Sequence, residues 1–149
     1  MQSTFPTVTV LDIPFVKTTA AEFLTEVQHR IIQQQNTFVV TANPEIVMYG
    51  HDHPDYQQLL LTADFITPDG IGILNGAQIL NQPLPERITG FDTLQALLKW
   101  GSDQHRSAYF LGAKPTVIAQ LKEVLARDYP GLQVCLLYTS DAADEARSV

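Results

Sequence analysis

Short apolar runs alternate along this chain with stretches whose apolar residues recur every three or four positions. Thr7 to Leu11 alternates as a strand does, and Asp12-Ile13-Pro14 reads as the turn after it. From Ala20 to Gln34, Phe23, Leu24, Val27 and Ile31 take helical spacing, with Thr18 or Thr19 placed to cap. Thr37 to Ala42 (TFVVTA) is apolar and β-branched, as a buried parallel strand is. Asn43-Pro44 then supplies an N-cap and a first helical residue, with Glu45 beside the positive helix end. That helix continues through Ile46 to Tyr49, and His51 to Pro54 is a polar break. Asp55 to Leu61 reads as a short helix and Ala63 to Thr67 (ADFIT) as the next strand.

Gly70 to Leu80 reads as a helix whose apolar face is Ile71, Leu74 and Ile79. Asn81 to Thr89 (NQPLPERIT) is a loop, and Gly90 to Gln104 is a helix that buries Phe91, Leu94, Leu97, Leu98 and Trp100. Ser107 to Leu111 is a strand, Pro115 to Arg127 a helix, Tyr129-Pro130-Gly131 a turn, and Leu132 to Val134 begins another strand. Strands alternating with helices predict an α/β fold in a single domain, a mainly parallel sheet flanked by helices. In such sheets ligands bind at the carboxyl edge of the strands. The two strand-to-helix junctions Thr41-Ala42-Asn43-Pro44-Glu45 and Thr67-Pro68-Asp69-Gly70-Ile71-Gly72 therefore bring Thr41, Asn43 and Asp69 to a common crevice.

Composition narrows the partners. The net charge of −7 argues against nucleic acid, which needs clustered Lys and Arg, yet permits one phosphate-bearing ligand held by an Arg and helix N-termini. Met1 to Pro6 lacks the pattern of a signal peptide, and no apolar run reaches the roughly 18 residues of a membrane span, so a cytosolic location is expected. A single Cys excludes an internal disulfide framework.

Asp69 ends an apolar strand and precedes Gly70, where the backbone can approach a ligand closely. Partial desolvation there would raise its pKa and suit a general base; the alternative is a helix N-cap. Asn43 before Pro44 is a helix cap that also faces the crevice, and Thr41 is placed there by position. Arg87, in a proline-bounded loop, could clamp a diphosphate or carboxylate or remain a solvated charge. The Gly112 turn (LGAKP) leads into a helix and can receive a phosphate on backbone N–H groups, without the ending of a P-loop. Gly70, Gly72 and Gly76 do not fit the dinucleotide fingerprint, and His51, Asp52 and His53 lack the further ligands of a metal site. No nucleophilic Ser motif and no convincing second glycosidase carboxylate is present.

The order TANPEIV, ADFITPDGIGI, PERITGFD, LGAKP and YPGLQV resembles the WecG/TagA/CpsF glycosyltransferase family, from about Val8 to Val134. The resemblance implies a Rossmann-like inverting transferase, with no cofactor or bound metal. It would move a sugar from a UDP-sugar donor to a polyprenyl-diphosphate-linked sugar acceptor. In teichoic acid assembly this is N-acetylmannosamine added to undecaprenyl-diphosphate-N-acetylglucosamine; relatives use N-acetylmannosaminuronic acid or glucose. By motif, Asp69 would be the general base, Thr41, Asn43 and the Gly70 and Gly112 backbones would bind substrate, and Arg87 would offset diphosphate charge. Two other functions stay open: a non-catalytic nucleotide-sugar-binding module with Asp69 only as a cap, and a hydrolase in which Asp69 activates water.

One segment departs from the family pattern. Cys135 to Glu145 (CLLYTSDAADE) matches the translation of a transposon-library sequencing adaptor, the alternative being a genuine strand and polar tail. On that reading residues 1–134 are a partial glycosyltransferase domain and 135–149 are not natural. Cys135 then carries no redox information, and Asp141, Asp144 and Glu145 are no metal cluster. Family members continue instead with a Gly-rich strand region, a P-K-Q-E-like segment and a basic appendage that engages the membrane surface. The 149-residue chain is accordingly expected to be inactive alone, and the full-length protein peripheral at the inner membrane face.

Overall fold

The structure, a computed structural model, describes residues 5–138; Asp141, Asp144 and Glu145 lie outside them. The fold is α/β, with six helices and two parallel strand pairs among the described residues, as the alternating pattern predicts. Two compact units divide at Leu94/Gln95, within one helix.

In the first unit, β1 (Thr7–Val10) pairs antiparallel with β2 (Ile13–Val16). The expected turn at Asp12 to Pro14 is shifted. Leu11 and Asp12 turn the chain with φ of 48° and 63°, the left-handed pair that a two-residue hairpin requires. Ile13, Phe15 and Val16 are thereby freed to be buried as a second strand. Helix α1 (Ala20–Ile32) starts at Thr19, which forms a capping box with Glu22. The parallel pair β3 (Val39–Ala42) and β4 (Phe65–Pro68) sets Thr41 opposite Thr67, with β2 alongside β4. Between these strands lie α2 (Pro44–Asp52) and α3 (Pro54–Leu60); after them comes α4 (Ile71–Ile79).

One face of β3–β4 contributes Ala42 and Ile66 to a core with Val10, Phe15, Val47 and Ile73. On the other, Phe23 meets the Phe65 ring edge-on at 5.7 Å, and the Arg30 guanidinium stands 4.4 Å from the same ring. Buried Arg30 is paired with Glu26 at 2.8 Å and Asp64 at 3.6 Å, which offsets the cost of removing its charge from water.

The predicted faces of two helices need correction. In α4, Ile71 and Ile79 are 67% and 80% exposed, while Ile73 and Ala77 are buried. Gly72 and Gly76 set the contact face instead. A Cβ on Gly72 would lie 2.8 Å from Pro44 Cγ, and one on Gly76 3.2 Å from Val10 Cγ1, so the backbone itself packs there. In α5 (Gly90–Asp103), Phe91 and Leu94 are exposed and Leu98 and Gly101 are buried.

In the second unit, β5 (Ser107–Leu111) and β6 (Gln133–Tyr138) are parallel, joined through α6 (Pro115–Asp128). A shift in register falls between Ala108 and Tyr109, which pair with Val134 and Leu136 and leave Cys135 between them. The Gly131 N–H donates to Ser102 Oγ at 3.0 Å, and a Cβ at Gly131 would collide with the Ser102 carbonyl. No helix among the described residues is long and apolar enough to cross a membrane.

Candidate functional site

Because β3 and β4 are parallel, their carboxyl ends share an edge, and Thr41, Asn43 and Asp69 are brought to it. The ladder extends one step past the strands: the Asp69 N–H donates to Ala42 O at 3.1 Å. Ile88 N–H donates to Pro68 O at 2.9 Å, so the end of the 81–89 loop closes on the same edge. That loop is also held by Glu86, whose Oε1 accepts from Ala20 N–H at 2.6 Å.

Asp69 does not cap its own helix. Gly70 is the N-cap of α4, with φ +137° and no side-chain cap, a conformation that favours glycine. The Asp69 carboxylate instead reaches across the edge, where Oδ2 accepts from the Gly90 N–H at 2.9 Å, at the first residue of α5. The second carboxylate oxygen has no hydrogen-bond partner among the described residues. Gly90 is also pressed against Thr41, since a Cβ there would lie 2.7 Å from Thr41 Oγ1. Thr41, Asp69 and Gly90 thus form one packed group. Thr89 completes the start of α5: its hydroxyl accepts from Asp92 N–H at 3.0 Å and donates to Asp92 Oδ2 at 2.6 Å.

Asn43 caps α2, with Oδ1 accepting from Ile46 N–H at 2.9 Å, which leaves its amide NH₂ as a donor at the edge. The first turns of α2 and α4 touch, because a Cβ on Gly70 would lie 3.0 Å from Pro44 Cδ. Arg87 is exposed on the closing loop, with no ion pair among the described residues. Gly112 belongs to the second unit. There φ is +89° and a Cβ would meet nothing within 4 Å; Ala113 beside it has φ 112°, which L side chains rarely adopt. His53 is engaged locally, stacked on Tyr49 at 3.9 Å with Nδ1 2.9 Å from Tyr49 O.

Two residues of the edge escape a reading by motif. Gly90 looks like an ordinary helix start, and its role is a close approach that the sequence does not display. Thr67 looks like a strand residue, yet its Oγ1 is fully buried beside Thr41 without a hydrogen-bond partner among the described residues. A hydroxyl inside TFVVTA-like and ADFIT-like apolar runs is the available signal, since burying one costs about 1–3 kcal/mol when unpaired.

The family model described as "Glycosyl transferase WecG/TagA/CpsF family" matches residues 8–148. The chain is 35% identical over 123 residues to an N-acetylglucosaminyldiphosphoundecaprenol N-acetyl-beta-D-mannosaminyltransferase of Bacillus spizizenii (strain W23), covering 82% of this chain and 48% of the relative. It is 33% identical over 127 residues to a Staphylococcus aureus (strain NCTC 8325) protein of the same name, covering 84% and 50%. The chain spans about half the length of these curated relatives. The matched region contains both strand-to-helix junctions, the closing loop and the start of α5, and the chain belongs to the WecG/TagA/CpsF family of glycosyltransferases.

Proposed function

We propose that this chain carries the base-bearing part of an inverting glycosyltransferase. It moves N-acetylmannosamine from UDP-N-acetylmannosamine to a polyprenyl-diphosphate-linked N-acetylglucosamine. The names of its relatives support the acceptor and the transferred sugar. The observation that carries the reading is the Asp69 carboxylate at the parallel-strand edge, one oxygen held by Gly90 N–H and the other without a partner among the described residues.

The free oxygen accepts the proton of the acceptor hydroxyl as that oxygen bonds to the anomeric carbon, and UDP departs with the electron pair of the broken bond. A sugar hydroxyl is a poor nucleophile until its proton is accepted in the transition state. One displacement inverts the anomeric centre and needs no covalent intermediate. Thr41 and the Asn43 amide orient a substrate sugar or its phosphate, the Gly70 backbone offers N–H groups to phosphate, and Arg87 offsets diphosphate charge; within the second unit, the Gly112 turn is by itself a backbone that can receive a phosphate. A lipid-linked acceptor supports a reaction at the membrane surface, and a UDP-sugar donor supports its cytoplasmic face. N-acetylmannosaminuronic acid and glucose are the alternative sugars that the family resemblance implies.

A second reading has one observation in its favour. Asp69 does hold a helix start, so a non-catalytic nucleotide-sugar-binding module would also retain it. Sugar transfer to a short-chain lipid-diphosphate-N-acetylglucosamine analogue separates the two, measured on this chain and on a protein of its relatives' full length that carries the same residues. Transfer that falls at least about a hundredfold in Asp69→Asn supports the base, because an amide oxygen still accepts from Gly90 but takes no proton. Donor binding without transfer in either protein supports the module.

A further inference from the structure

Four of the five residues from Glu86 to Gly90 are held by hydrogen bonds. The Glu86 carboxylate accepts from the Ala20 N–H at 2.6 Å, across 66 positions of chain. Ile88 is 1% exposed, and its N–H donates at 2.9 Å to the carbonyl of Pro68, next to Asp69. Thr89 and Asp92 bond each other at the start of α5, and the Gly90 N–H donates to Asp69 itself. Arg87 alone in this run has no hydrogen bond or ion pair among the described residues, and it is exposed.

The start of α1 does not by itself call for Glu86. Its capping box already satisfies the N–H groups of Thr19 and Glu22. The Ala20 N–H is one of the donors that a helix start leaves without an internal partner, and at an exposed site water would serve it. A carboxylate makes a charge-assisted bond there, at the positive end of α1. That bond comes from the residue next to Arg87. The free cation therefore stands on a backbone pinned to either side, by Glu86 to α1 and by Ile88 to the end of β4. An Arg on a loose loop loses backbone and side-chain freedom when it takes up a ligand. One on a fixed backbone loses only the freedom of its own side chain, and binds more tightly for it.

We propose that Glu86 is a positioning residue: its bond to Ala20 holds the Arg87 backbone where the guanidinium meets the diphosphate of a nucleotide. The proposal rests on the reading of Arg87 above. The competing account is a staple that only steadies α1.

The test is calorimetric binding of UDP to this chain and to a protein of its relatives' full length that carries the same residues. Each is compared with its Glu86→Ala, Glu86→Gln, Arg87→Ala, Glu86→Ala/Arg87→Ala and Glu22→Ala variants, and thermal melting checks that the variants fold. Glu86→Ala is expected to weaken UDP about threefold or more, and to add nothing once Arg87 is Ala. Loss of a negative charge would by itself tighten UDP, so a weakening has the sign of lost positioning. Glu86→Gln loses the same charge but keeps an oxygen for the Ala20 N–H, and is expected to retain most of the affinity. Glu22→Ala breaks the capping box in the same helix start and is expected to leave UDP unchanged. Unaltered affinity in Glu86→Ala overturns the proposal. So does a loss that persists in full beside Arg87→Ala, a Gln variant no better than Ala, or an equal loss in Glu22→Ala, which assigns the bond to α1 alone. Those outcomes leave Arg87 as the diphosphate clamp. UDP bound by neither parent removes that clamp and the proposal together.

Discussion

The carboxylate of Asp69 is held on one side by the Gly90 N–H, and that bond has two consequences. It orients the side chain without a rotamer search, and it ties the edge of β4 to the start of α5. Gly90 in turn has no room for a methyl group beside Thr41 Oγ1. Gly90→Ala is therefore expected to lower stability by about 1–3 kcal/mol, the usual cost of overpacking, and Thr41→Ala in the same chain should recover part of it. Denaturant titration of the two single variants and the double variant checks this. Additive losses would show that the two residues are not in contact. Asp69 and Asn43 were legible as candidates because carboxylate-Gly and Asn-Pro junctions follow apolar runs. The Gly90 contact was not, because a distance between residues 49 positions apart leaves no mark on local pattern.

Among the elements, α1 shows how far local chemistry reaches. Its Glu22 carboxylate accepts from the Thr19 N–H at 3.1 Å and from the Thr18 and Thr19 hydroxyls at 2.9 Å each. Those bonds, the backbone one first, hold its carboxyl below the ordinary carboxylate range. A lowered value in the folded state gives stability that is present at neutral pH. It is lost as pH falls from the ordinary carboxylate range through the depressed folded value. Glu22→Gln should flatten that part of the acid unfolding profile, as followed by circular dichroism across pH; an unchanged profile would remove the capping box from the stability of α1. Helix α4 shows the opposite case. Ile73→Ala is expected to cost about 2–5 kcal/mol and Ile71→Ala within about 0.5 kcal/mol, measured by thermal or denaturant unfolding. Equal losses would restore the face that spacing alone predicts. Hydrophobic period told that a helix was there. Which side faced inward followed from where two glycines let the backbone meet Pro44 and Val10.

For the molecule as a whole, the proposed function asks an acidic chain to hold anionic substrates. A net charge of −7 repels any nucleoside diphosphate at long range, so on that proposal local cations and helix N-termini would supply the attraction. Arg87, exposed on the loop that closes the site edge, is the nearest such cation by position in the chain. Arg87→Ala should leave unfolding unchanged within about 0.5 kcal/mol and lower kcat/KM for the UDP-sugar about tenfold or more, with Arg87→Lys recovering part of the loss. Steady-state kinetics reads this, and an unaltered kcat/KM would return Arg87 to the solvated surface.

The α/β class, most of the element order, the Thr19 and Asn43 caps and the candidates at the strand ends follow from composition, period and capping chemistry. All of these act within a few residues of one another. The inward faces of α4 and α5 and the Asp69–Gly90 bond arise between segments far apart in sequence. They depend on which surfaces fill each other's volume when the strands pair, and close packing is a property of the assembled core rather than of any single run of residues.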